Sequence, residues 1–135
     1  MNEKTSAFWS RALKTLEVAE SLVELDPDSC ASRAYYSAFY AVSALFALRG
    51  RLFSKHSAIE HAVHAELVKT EEWPPELGEA FSFLRGLRQK GDYGVADHVS
   101  INNAQKALQN TRQILEAVHQ AHPDLFTLPG KKKKE

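Results

Sequence analysis

Residues 34–48 contain no charged side chain, whereas the stretches on either side alternate apolar and polar residues with a helical period. A helix that is apolar around most of its circumference has to be covered on several sides, so a central helix is predicted over about 29–49. At about 1.5 Å per residue the uncharged run spans about 22 Å, short of a membrane core of about 30 Å. Its alanines and serines permit close helix approach, and Tyr35, Tyr36, Phe39, Tyr40 and Phe46 fill the gaps between helices. Upstream, Phe8, Ala12, Leu16, Ala19 and Val23 form one stripe and predict a first helix over about 6–25. Downstream, Ile59, Val63 and Leu67 predict a third helix from 54 or 55 to 70. Leu77, Phe81, Leu84 and Leu87 or Arg88 predict a fourth over 75–90. Ile101, Ala104, Leu108, Thr111, Leu115 and Val118 predict a fifth over 100–122. No segment has the two-residue period of a strand. The predicted class is all-α, an up-and-down four-helix bundle core with an additional short helix.

Glycine and proline mark the joints. Asp26-Pro27-Asp28 breaks the first helix, and Asp28 or Ser29 is expected to cap the second. Gly50, between Arg49 and Arg51, ends the second helix in the usual glycine role. Glu71-Glu72-Trp73-Pro74-Pro75 reads as a turn, Gly91-Asp92-Tyr93-Gly94 as the exit of the fourth helix, and Pro123 as the stop of the fifth. One domain is expected over 5–122, followed by a flexible tail, 123–135, with a basic end.

Charge changes the picture in one respect. The 135 residues carry 17 Lys+Arg and 17 Asp+Glu, for a formal net charge of zero. Lys131–Lys134 and Glu135 supply +3 of it, which leaves residues 1–130 at about −3. Nucleic-acid binding through bulk positive charge is therefore disfavoured. Arg49, Arg51, Lys55, Arg85, Arg88 and Lys90 instead gather at predicted helix ends, which suits a local phosphate site.

Other features narrow the class. A 44% hydrophobic fraction excludes a disordered chain, and the single Cys30 excludes an internal disulfide. Cys30 reads as a small residue near a helix start. With no membrane span and no signal-peptide layout in Met1-Asn2-Glu3-Lys4, an intracellular, cytoplasmic protein is expected. His61 and His64 share a helix face near His56, Glu60 and Glu66, but no second cluster completes a zinc set, so a solvated face is expected. No phosphate-binding Gly-rich loop or nucleophile elbow is present. No metal or cofactor is expected.

The richest constellation is Arg85, Arg88, Lys90, Asp92 and Tyr93. An arginine one turn before an Asp-Tyr pair can bring guanidinium, carboxylate and phenol together, and guanidinium binds phosphate with a planar fork of donors. The plainer reading is a helix C-terminus neutralised by cations, with Tyr93 as a packed plug. Arg49, Arg51, Lys55 and His56 form a second basic cluster, in which the imidazole of His56 titrates near neutrality.

Ser32-Arg33-Ala34-Tyr35-Tyr36-Ser37-Ala38-Phe39-Tyr40-Ala41 resembles the signature of the HEPN domain family, in its small stand-alone prokaryotic branch. Ser54-Lys55-His56-Ser57, then Arg88-Gln89-Lys90-Gly91-Asp92-Tyr93, then Asn103-Ala104-Gln105-Lys106-Ala107-Leu108 follow in the order that branch shows, across about residues 5–120. The resemblance implies an up-and-down helical bundle, frequently a homodimer, often paired with a small nucleotidyltransferase in a toxin–antitoxin system. Active members are metal-independent endoribonucleases with an Arg-x(4–6)-His motif, the arginine on the scissile phosphate and the histidine assisting proton transfer at the ribose 2′-hydroxyl.

The sequence departs from this pattern. Tyr93, Gly94 and Val95 stand where a histidine would follow Arg88, and His98 comes too late. Arg51-x(4)-His56 and Arg49-x(6)-His56 have the spacing but precede the third helix. The resemblance therefore carries Arg88, with Asp92 and Tyr93 in the histidine region, and His56 would supply the imidazole if it folds back towards them. Arg33 either faces the same pocket or pairs with an acid at its helix start. Arg33, Arg85 and Lys90 are the expected RNA- or nucleotide-binding residues. The function expected is that of a HEPN protein binding or cleaving RNA or nucleotide phosphate. The alternative is a non-catalytic dimeric helical interaction module.

Overall fold

The structure is a computed structural model and describes residues 3–130. Four long helices alternate in direction: α1 (Glu3–Leu22), α2 (Pro27–Leu48), α4 (Pro75–Tyr93) and α5 (Ile101–Ala121). The additional short helix, α3 (His56–Ala62), widens into a π-helical stretch, Val63–Val68, before the turn to α4. The chain is thus all-α, as its periodicity predicts. No helix among the described residues is long and apolar enough to cross a membrane.

α2 is the centre because its sequence lets neighbours approach on every side. It packs on α1, α5, α4 and α3. Ala34, Ala38, Ala41 and Ala44 are fully buried, so helix backbones come close enough for side-chain hydroxyls to bond across them. Ser37 Oγ donates to the Ala12 carbonyl at 2.7 Å, and Thr111 Oγ1 donates to the Ala34 carbonyl at 2.9 Å. A buried hydroxyl needs such a partner, and here each one stitches α2 to a neighbour.

The caps differ from expectation at one end of α2 and agree at the other. Asp26, not Asp28 or Ser29, is the N-cap: its carboxylate accepts from Ser29 N at 3.2 Å, and Pro27 takes the first helical position. Asp28 is thereby free to bond elsewhere. Its Oδ1 accepts from Val99 N at 2.7 Å, and its Oδ2 lies 2.7 Å from His98 Nδ1, which fixes the loop before α5. At the C-terminus Gly50 has φ +81°, and the Gly50 and Arg51 amides donate to the Ala47 and Phe46 carbonyls. This is a Schellman closure.

Other boundaries move for local reasons. α4 runs through Tyr93, so Gly91 lies inside the helix rather than at its exit. It is glycine because a Cβ there would stand 2.8 Å from the Asp28 carbonyl oxygen. Ile101 is 45% exposed in the first turn of α5, off the stripe expected to include it. Trp9, outside the expected α1 stripe, is buried.

The expectation of a loose tail from residue 123 is corrected for 123–130. Phe126 is fully buried, with its ring centroid 5.2 Å from that of Trp9. The Trp9 indole donates to the Thr127 carbonyl at 2.8 Å, and His119 Nδ1 lies 2.6 Å from the Phe126 carbonyl oxygen. Burying one phenylalanine contributes about 1.5–3 kcal/mol, enough to hold a short segment against the bundle. The basic end, residues 131–135, lies outside the described residues.

Candidate functional site

The structure gathers Arg88, Asp92, Tyr93 and His56 around the aromatic face of α2. Arg88 points from α4 towards Tyr36, and its side chain is only 15% exposed. Nη2 donates to the Tyr36 hydroxyl at 2.9 Å and to the Tyr93 hydroxyl at 3.3 Å. Nε donates to Asp92 Oδ2 at 3.1 Å, the same oxygen that accepts from Ser32 Oγ at 3.3 Å. One turn of α4 places Asp92 behind Arg88, as the sequence spacing implies. Burial alone would lower the Arg88 pKa, but Tyr36, Tyr93 and Asp92 outweigh it and raise the value, so the charge is fixed. Nη1 makes no hydrogen bond among the described residues. No buried side-chain nitrogen or oxygen lacks a partner there, so this donor faces solvent.

His56 arrives from another direction. The segment after Gly50 returns along α2 and delivers His56 as the first residue of α3. Its ring stacks on Phe39 at 4.4 Å and meets the edge of Tyr36 at 5.6 Å. The Tyr35 hydroxyl lies 2.8 Å from His56 Nδ1. Burial pushes the Tyr35 pKa up to about 12, so the phenol keeps its proton. That proton has no other acceptor among the described residues, so Tyr35 donates to Nδ1 and neutral His56 carries its proton on Nε2. Burial, then the charges of Arg88 and Arg85, lower the His56 pKa and favour the neutral ring. No hydrogen bond joins His56 and Arg88 among the described residues; the Tyr36 ring is near both, 5.6 Å from the imidazole and 5.4 Å from Arg88 Cζ.

The other expected residues divide. Arg33 is exposed, with Cζ 5.0 Å from the Tyr36 ring centroid, beside the Arg88 cluster. Arg85 is paired with Glu60, whose Oε2 accepts from Ser82 Oγ at 2.8 Å. Burial would raise the Glu60 pKa, but the bonds from Ser82 and Arg85 outweigh it and lower the value. These groups and Gln89 line an open cavity of 260 Å³. Lys90 reaches Asp97 at 3.3 Å, in the loop after α4.

The second basic cluster comes apart. Arg49 grips Glu72 with both terminal nitrogens, Arg51 pairs with Glu66, and His56 turns inward. His64 is no solvated face residue either: its Nε2 lies 3.0 Å from Ser82 Oγ, and Gly78 packs against its ring. No group of three or more His, Cys, Asp or Glu residues that could hold a metal occurs among the described residues. Cys30 is buried, and burial pushes its thiol up to about 11, so it is a packing residue.

Sequence reasoning missed Tyr36 and Glu60 as partners of the arginines, and Ser32 as a partner of Asp92. Tyr35 and Tyr36 are adjacent, and on a helix adjacent residues point about 100° apart. One of the pair had to face the core while the other turned towards α4, which is the signal the sequence held.

Three comparisons with known proteins agree with this architecture. The family model described as HEPN domain matches residues 5–121. A UPF0332 protein of Thermotoga maritima is 34% identical over 129 residues, covering 93% of this chain and 98% of its own. A Methanocaldococcus jannaschii protein named "Putative toxin MJ0142" is 33% identical over 99 residues, covering 73% and 67%. Among solved structures, the crystal structure of TT1696 from Thermus thermophilus superposes with a TM-score of 0.74 at 21% identity, over 88% of this chain and 98% of its own. The family match spans all five helices, and the chain belongs to the HEPN domain family.

Proposed function

We propose that the protein is a toxin-like HEPN module that binds the phosphate of RNA or a nucleotide at Arg88, with the imidazole N–H of His56 as a second donor beside it. The carrying observation is that Arg88 is held from three sides by Tyr36, Asp92 and Tyr93 while Nη1 stays open to solvent. Such a guanidinium meets a phosphate with its geometry already set, so little is lost on binding. Nε2 of His56, likewise without a bond among the described residues, is open to solvent on a ring 5.6 Å from that of Tyr36. In the tautomer fixed by Tyr35 it is a hydrogen-bond donor, suited to a phosphate oxygen. The name of the Methanocaldococcus relative favours the toxin reading. A small nucleotidyltransferase is the partner that reading calls for, and a homodimer is its expected form.

The test uses labelled RNA, with and without chelator, and the Arg88→Ala and His56→Ala variants. Chelator-resistant cleavage lost in both variants supports the reading. Equal background in all samples removes the nuclease. A second reading, a non-catalytic dimeric interaction module, is favoured by Tyr93 and Val95, which are 68% and 93% exposed at the end of α4. Light scattering tests the dimer, and a Val95→Asp variant that becomes monomeric without losing RNA binding supports that module.

A further inference from the structure

Among the described residues the seven arginines fall into two groups. Arg49, Arg51, Arg85, Arg88 and Arg112 each pair with a carboxylate. Arg11 and Arg33 pair with none and are exposed. Both instead lie over tyrosines one turn apart on α2: Arg33 Cζ is 5.0 Å from the Tyr36 ring centroid, and Arg11 Cζ is 5.6 Å from that of Tyr40.

The rings between them are continuous. Tyr36 and Tyr40 are 6.2 Å apart with planes tilted by 33°, and Tyr40 stacks on Phe8 at 6.5 Å and 22°. Tyr36, Tyr40 and Phe8 are all half-buried, so an edge or face of each remains at the surface. At one end of the row Tyr36 bonds Arg88. A row of partly exposed rings, flanked by cations that the protein itself does not neutralise, meets the two needs of an unpaired nucleic-acid strand: surfaces for bases and charges for phosphates. A duplex hides its base faces and gains nothing from the rings.

We propose that the Arg33–Tyr36–Tyr40–Arg11 row is a track for single-stranded RNA that leads into the Arg88 site. This deepens the function proposed above and rests on it for the polarity of the track, with the scissile phosphate at the Arg88 end. It also accounts for nucleic-acid affinity in a domain of net negative charge, because the relevant cations are the two left unpaired.

The experiment measures fluorescence anisotropy with a labelled, 2′-O-methylated RNA strand, which binds without being cut, and with the same strand annealed to its complement. Wild type is expected to bind the strand about tenfold or more tighter than the duplex. Replacing a stacking ring, Tyr40→Leu, is expected to weaken strand binding about tenfold. The double variant Arg11→Gln/Arg33→Gln alters only exposed side chains, so it decides the matter if Tyr40→Leu folds poorly in a thermal melt. It is expected to lower the slope of log affinity against log salt by about 1.4, at about 0.7 per single-strand contact. Unchanged affinity and slope in that variant, or equal binding of strand and duplex, overturns the track. Arg88→Ala separates the two readings. Loss with Arg88→Ala alone removes the track and keeps the site; loss with the double variant alone removes the site and keeps a strand-binding surface.

Discussion

The hydroxyl of Tyr35 lies 2.8 Å from Nδ1 of His56, joining the most buried helix to the first residue of α3. This bond sets the tautomer of the neutral imidazole, which stacks on Phe39. Burial and the neighbouring arginines lower the His56 pKa in the folded state, so the unfolded chain takes up a proton at a higher pH than the folded one. The contribution of His56 to stability is therefore present above its unfolded value of about 6.5 and is lost as pH falls through the folded value. Thermal unfolding of wild type is expected to shift downward between pH 7.5 and 5, and a His56→Gln variant is expected to show a smaller shift.

Arg88 combines structure with chemistry, and the two separate by substitution. Arg88→Lys retains the charge but loses the fork that bonds Tyr36, Tyr93 and Asp92 at once. A loss of about 1–2 kcal/mol in urea unfolding is expected for Arg88→Ala, from hydrogen bonds of a charged group at a partly buried position. Arg88→Lys is expected to recover part of this stability and little of the RNA affinity.

Two glycines on α4 make opposite predictions. At Gly91 a Cβ would stand 2.8 Å from the Asp28 carbonyl, a backbone atom that cannot swing aside. Gly91→Ala is expected to destabilise by about 1–3 kcal/mol and to loosen the α2–α4 contact. At Gly86 a Cβ meets nothing within 4 Å. Gly86→Ala is expected to raise stability by about 0.4–1 kcal/mol, since alanine restricts the unfolded chain and suits a helix interior. Differential scanning calorimetry of both variants checks the pair.

The segment after α5 belongs to the core. Phe126→Ala is expected to cost about 3–5 kcal/mol in chemical unfolding. A chain stopped after residue 122 is expected to lose at least as much and to show a red-shifted Trp9 emission, because the indole loses both Phe126 and the Thr127 carbonyl.

The helices were legible because each rests on a period and a break. The uncharged run of α2, the Pro75 start of α4 and the Gly50 closure all act within a few residues of themselves. The π-helical stretch was not legible, since it has no period or break of its own and is seen only with α4 packed beside it, where Gly78 lies against the His64 ring. Arg88, Asp92 and Tyr93 could be read as a unit because one helical turn spans them. The approach of His56 could only be posed as a question, because the path of residues 51–55 follows from tertiary packing rather than local preference. The tail was misread for a related reason. Leu125, Phe126 and Leu128 are too few to show a period, and their partner Trp9 stands more than a hundred residues earlier.

The bond between Trp9 and Thr127 fixes the two extremes of the described chain at one pole of the bundle, while Asp28 and Gly91 meet at the other. Beyond that bond the segment after α5 runs back along α1, where Leu128 and Pro129 share a cavity with Leu13, Leu16 and Glu20. A fused reporter or a surface tether attached ahead of α1 leaves the α2–α4 face, with Arg88, Asp92 and Tyr93, towards the far pole. Protein immobilised through the end that precedes α1 should thus present that face to a ligand.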